Sequence, residues 1–116
     1  MKGIFKFNFS AGRMGDLDGV FIATKHQVDW LINCKKEVYF GEVLGKHSEI
    51  YGSIDEGEIT FITDNDEVIR LFTEFDLQTG YNPFSYSFVD SDAQDLLGDK
   101  YEEYLTVLEC YNKLHS

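Results

Sequence analysis

Basic residues, proline and cysteine are the scarce components of this chain. Ten Lys and Arg stand against 21 Asp and Glu, for a formal net charge of −11. That balance repels nucleic acid and anionic lipid, so direct binding to either is not expected. A single proline, Pro83, leaves no room for a rigid proline-rich linker. Two cysteines, Cys34 and Cys110, are too few for a disulfide framework. Both fall on helical patterns and are read as reduced, partly buried thiols. No apolar run approaches the ~20 residues of a membrane-spanning helix. Residues Met1 to Phe9 alternate in polarity and do not form the continuous apolar stretch of a secretory leader, so a cytoplasmic location is expected.

Aromatic side chains, by contrast, are abundant. Ten Phe and seven Tyr raise the aromatic share to 16% of 116 residues, and each carries a large area for core or interface packing. At this length one domain, residues 1–116, is expected, and roughly two-thirds of the unfolded surface can be buried. The charge is unevenly spread. Residues 1–50 hold seven Lys/Arg against six Asp/Glu, whereas residues 51–116 hold three against fifteen. Such an acidic half is soluble, and it also steers basic partners toward itself.

Periodicity supplies the elements. Phe5, Phe7 and Phe9 alternate with Lys6 and Asn8, the pattern of a half-buried strand over Lys2–Phe9. Three glycines within Ser10–Gly19 mark a loop, and Gly19–Ala23 is a short second strand. Thr24 and Gln27 form a capping box for a helix that runs to about Cys34, with Val28, Leu31 and Ile32 inward. Glu37–Leu44, Glu49–Ile54 and Glu58–Thr63 read as a three-strand meander. Asp64 caps a helix whose Val68, Leu71, Phe72 and Phe75 make the clearest amphipathic stripe in the chain. Leu77–Pro83 is a loop and Phe84–Val89 a short edge strand. A helical turn after Ser91 kinks at Gly98 and resumes to about Leu114, with Tyr101, Tyr104, Leu105, Leu108 and Tyr111 inward. Together these elements predict an α+β fold, an antiparallel sheet of about four to five strands packed against two to three amphipathic helices.

The densest chemistry lies around Gly41–Gly52. There Lys46, His47, Ser48 and Glu49 follow one another, with Glu42 just upstream. In that setting His47 is a base or ligand, the two glutamates orient it, and Lys46 holds an anion. Val38, Phe40, Glu42 and Leu44 share one strand face, so Glu42 is expected to point inward and to need a partner. Arg13, flanked by Gly12 and Gly15, completes a cationic pocket if its loop folds over the turn, and Tyr81 is a further lining candidate. A phosphate-bearing metabolite or nucleotide fits such a pocket. The segment Gly41 to Ser48 imitates a phosphate-binding loop. However, its glycines are one residue too close, His47 stands at the hydroxyl position, and a strand follows where a helix is required. Glu42, His47 and Glu49 lack a second histidine at ligand spacing, and Asp16-Leu17-Asp18-Gly19 lacks the distal glutamate of a calcium loop, so neither metal nor cofactor is expected. Nucleophile motifs are missing as well.

Asp92, Asp95, Asp99, Glu102 and Glu103 form the second candidate site. Spaced carboxylates can imitate a phosphate backbone and occupy the basic groove of a nuclease, nucleic-acid-binding protein or toxin. The leading expectation is therefore a small, acidic, non-enzymatic protein that sequesters or inhibits a basic macromolecule, in the manner of immunity proteins, phage anti-defence proteins or DNA mimics. The alternative is a small-ligand protein or small enzyme built on the Glu42–Glu49 hairpin.

Overall fold

The structure, a computed structural model, describes residues 1–44 and 48–116. The alternating N-terminal segment forms strand β1 (Lys2–Ser10), which pairs antiparallel along its whole length with β2 (Asp16–Thr24). The connection is tighter than the glycines suggest. A 3₁₀ turn at Gly12–Met14 is closed by Ala11 N donating to Gly15 O at 2.8 Å, and the rest of the expected loop belongs to β2. Leu17, Gly19, Phe21 and Ala23 are all buried, which is the period-two signal that continues through the last of the three glycines. Gly19 serves strand packing: a Cβ there would sit 2.1 Å from the Tyr81 carbonyl oxygen, where β6 (Thr79–Gly80) pairs with β2.

The capping box at Thr24 starts helix α1 (Lys25–Cys34). Gln27 N donates to Thr24 Oγ1 at 3.0 Å, and Thr24 N donates to Gln27 Oε1 at 2.9 Å. Val28 and Leu31 face the core. After α1 come β3 (Glu37–Gly41) and β4 (Ile50–Ser53), paired antiparallel.

The meander stops there. The chain turns off at a 3₁₀ turn, Glu56–Glu58, where Asp55 N donates to Glu58 Oε1 at 2.8 Å and Glu58 N to Asp55 O at 2.9 Å. It then delivers β5 (Ile59–Thr63) to the far side of β1. The described strands thus divide into two antiparallel sheets, ordered β5-β1-β2-β6 and β4-β3-β7, with β7 at Ser87–Phe88. The α+β class stands, carried by two sheets.

Helix α2 (Asp66–Glu74) is capped by Asn65, one residue beyond the expected Asp64; its Oδ1 accepts from the amides of Glu67 and Val68. It packs on β1 from the sheet's other face. Ile4 and Phe72 are the buried apolar residues outside the main core. Val68, Leu71 and Phe75 of the same stripe remain exposed.

Helix α3 (Asp90–Leu97) ends at Gly98, with φ 54°, and a 3₁₀ turn covers Gly98–Lys100. The expected resumption of the helix there does not occur. Helix α4 spans Val107–Leu114 and starts at a second capping box, in which Glu109 N donates to Thr106 Oγ1 and Thr106 N to Glu109 Oε1. Val107 and Cys110 form its buried face, while Tyr104 is 91% exposed. A ring cluster fastens α4 to α1: the Tyr111 hydroxyl and His26 Nδ1 share a hydrogen bond, and Trp30 meets Tyr111 edge-on at 5.3 Å.

Between the two sheets lies an aromatic seam. Phe7 and Phe9 of β1 stand 5.9 and 5.8 Å from Phe40 of β3, and Phe21 packs 5.9 Å from Phe84. Because Gly19 is enclosed by backbone atoms, Gly19→Ala is expected to force β6 off β2 at a cost of roughly 1–3 kcal/mol. Urea denaturation of the two proteins measures this, and equal midpoints would refute it.

Candidate functional site

The loops at one end of the sheets come together as far as backbone and apolar contacts are concerned. Leu44 lies against the β1–β2 turn, 3.5 Å from where a Gly15 Cβ would be, and the Tyr81 hydroxyl donates to Val43 O at 3.2 Å. Among the described residues expected to meet there, Arg13 and Glu42 are not joined to each other or to the hairpin by an ion pair. Both are exposed.

Glu42 corrects the strand-face expectation. Strand β3 ends at Gly41, which adopts φ 78° at an irregularity where Gly41 pairs with Ile50 after Tyr39 with Tyr51. This bulge resets the alternation. Glu42 turns outward, and Val43 and Leu44 pack against the core in its place, so no buried carboxylate needs an answer. Ser48 is exposed. Glu49 accepts from the Tyr39 hydroxyl at 2.9 Å across the hairpin, a bond that pushes the phenol's pKa up. Lys46 and His47 lie outside the described residues.

The acidic candidates separate into engaged and free groups. Asp92 Oδ2 accepts from Glu37 N at 2.7 Å, tying α3 to the start of β3. Asp95 pairs with Lys36; the hydrogen bond from that ammonium holds its carboxyl below the usual range, and the same bond raises the lysine. Glu102 lies 3.1 Å from Lys113 Nζ. Asp99 and Glu103 are exposed and in no ion pair among the described residues.

A cleft of about 660 Å³ collects part of this chemistry. It opens beside β7 and α3, under the irregular segment that replaces the expected helix. Asp90, Glu102 and Glu103 line it together with Tyr39, Tyr101 and Tyr104, and no Lys or Arg is among its lining residues. The Tyr101 hydroxyl donates to Asp90, which raises the phenol's pKa. Tyr104 holds φ 64°, a left-handed conformation uncommon for a bulky side chain, and projects into solvent. Carboxylates beside tyrosine faces suit a guanidinium or ammonium group. Sequence reading found Glu102 and Glu103 and turned Tyr101 and Tyr104 inward; Tyr101 does pack, half-buried, against the core, whereas Tyr104 was drawn in only because the spacing 101, 104, 105, 108, 111 imitates a helix face.

A second cleft, of about 550 Å³, lies between α1 and β5 over Phe5, Val28, Ile32, Ile59 and Phe61. Among the described residues no group of three or more His, Cys, Asp or Glu is placed to hold a metal ion, and no helix is long and apolar enough to cross a membrane. Comparison of the chain with protein-family models, with curated proteins and with solved structures finds no match.

Two predictions test these placements. Tyr81→Phe removes only the bond to Val43 O and is expected to cost about 1 kcal/mol in denaturant unfolding. Cys110 is buried, and desolvation pushes its thiol up to about 11, with Cys34 also raised by burial. Thiolate is therefore scarce at neutral pH, and iodoacetamide should modify neither residue readily in the native protein while labelling both in denaturant. Rapid native labelling of Cys110, followed by mass spectrometry, would contradict the placement.

Proposed function

We propose that this is a non-enzymatic binding protein that docks a basic macromolecule and thereby sequesters or inhibits it. The observation that carries the reading is the cleft lined by Asp90, Glu102 and Glu103 and by three tyrosines, with no cation in its lining. An arginine or lysine side chain entering it meets negative charge and aromatic faces at once, the combination found at interface anchor points. Tyr104 adds support. A bulky residue held at positive φ and exposed carries a backbone cost that nothing in the core repays, and such outliers collect at functional positions. The charge of −11 then steers the partner in from a distance.

Full imitation of a nucleic-acid backbone has less behind it, because Asp92, Asp95 and Glu102 already satisfy partners within the chain. The hairpin reading, with a small phosphate-bearing ligand, rests on loops that meet through Leu44 and Val43 and on an Arg13 directed to solvent.

The test is capture of a basic partner by the immobilised protein, followed by affinity measurement on the purified pair. Binding should weaken steeply between about 0.01 M and about 1 M salt, as the Debye length contracts from about 30 Å to about 3 Å. Glu103→Gln and Tyr104→Ala should each cost about 1–2 kcal/mol of binding without loss of fold. Affinity indifferent to salt would rule the reading out.

A further inference from the structure

Strand β5 is the outer strand of its sheet, and among the described residues no other strand pairs with its free edge. Its sequence, Ile59-Thr60-Phe61-Ile62-Thr63, contains no charge, proline or glycine. Edges are ordinarily blunted by just such residues, since unpaired amides and carbonyls invite another strand. Only a bulge interrupts this one: the register steps between Ile4 and Phe5, which leaves Ile62 unopposed and half exposed beside a half-exposed Phe61. Alongside runs the apolar cleft of about 550 Å³, whose floor reaches from Ile59 and Phe61 to Val28 and Ile32 of α1. A strand laid on the β5 edge would find its hydrogen-bonding partners in β5 and a place for alternate side chains in the cleft.

Charge decides what fits there. Between Ile54 and Ile69 the chain holds six acids, Asp55, Glu56, Glu58, Asp64, Asp66 and Glu67, and no Lys or Arg; Glu67 is paired with Arg70, and the cleft itself is lined by Glu56 and Asp64 together with Lys2 and a Lys25 that pairs with Asp29. The six acids bracket β5 at both ends. A second copy of this chain, paired antiparallel about Phe61, would set Glu58 opposite Asp64 at each end of the pair, the residues beyond leaving the strand for the 3₁₀ turn and α2. Like charges in opposition destabilise a strand pair. The same brackets attract a strand with basic flanks. The geometry points to the β5 edge and its cleft as a docking site for an extended peptide segment, apolar at alternate positions and flanked by Lys or Arg, bound by strand addition. This surface shares no lining residue with the acidic cleft, so the two readings stand or fall separately.

The probe is a synthetic peptide of about nine residues, the length of a long strand, with alternating valine and threonine at its centre and two lysines at each end. Its twin carries glutamates in place of the lysines. The expected result is binding of the lysine peptide alone, with slowed hydrogen exchange at backbone amides within Thr60–Thr63. Methylating one alternate set of the peptide's backbone nitrogens should abolish binding, and methylating the other set should not. Ile62→Lys, at a half-exposed unpaired position, should weaken binding by about tenfold or more while leaving the circular dichroism spectrum unchanged. Equal binding of the two peptides, no binding at millimolar peptide, or protection confined to residues outside β5 would each overturn the inference. If Ile62→Lys does not fold, the methylated pair still decides. A partner captured at the acidic cleft would be untouched by such a failure.

Discussion

Everything in this fold depends on β1, and within β1 on Phe7. That side chain is fully buried. It stacks near Phe9 on its own strand and near Phe40 on the other sheet. Burying a phenylalanine is worth about 1.5–3 kcal/mol, and here one residue also holds two sheets in register. Strand β1 is hydrogen-bonded on both edges, to β2 along its length and to β5 over Ile4–Phe7; one face carries Phe5, Phe7 and Phe9 into the core, and on the other Ile4 is buried while Lys6 and Asn8 are exposed. A strand hydrogen-bonded on both edges fixes its neighbours. The return strand β2 follows it residue for residue, and β5 pairs with its other edge, where Phe61 meets Phe5 edge-on at 5.6 Å.

Legibility in the sequence followed the range of the interaction. The Phe5, Phe7, Phe9 alternation and the Thr24–Gln27 box act within a few residues, and both were readable. The transfer of β5 to the other sheet was not, because strand pairing is decided by distant partners and no local signal announces it. Glu42 was misplaced for a local reason with a subtle cause. Alternation holds only while the strand is regular, and Gly41 at φ 78° breaks it. The C-terminal error is a competition between two true patterns. Tyrosines at helical spacing outweighed the box at Thr106 and Glu109, yet the box is what starts α4. Hydroxyl-bearing aromatic rings are amphipathic and sit well at an exposed cleft, so their periodicity is a weaker core signal than that of Val107 and Cys110.

The candidate site shows the same division. Acidity near residues 90–103 was legible from composition. Its partition was not, since Lys36 and Lys113 approach Asp95 and Glu102 only after folding. Of the two exposed candidates in no ion pair among the described residues, Glu103 lies on the irregular segment from Tyr101 to Thr106, where the expected helix does not form, and Asp99 lies in the 3₁₀ turn before it. Within that segment Tyr101 and Leu105 still pack against the core, and Tyr104 alone of the two tyrosines stands in solvent.

Solubility and recognition are commonly set against each other as explanations of an acidic surface. Around β5 they reduce to one interaction. An uncharged edge of β-branched and aromatic residues is an aggregation hazard unless self-pairing is penalised. Carboxylates at both ends of the strand oppose self-pairing without placing a charge on the edge itself, which leaves its backbone groups open to the proposed peptide. Repulsion of a copy and attraction of a basic segment are the same charges acting on different partners. In the proposed docking, their placement disfavours a second copy and favours a basic segment, which a uniformly spread negative charge would not do.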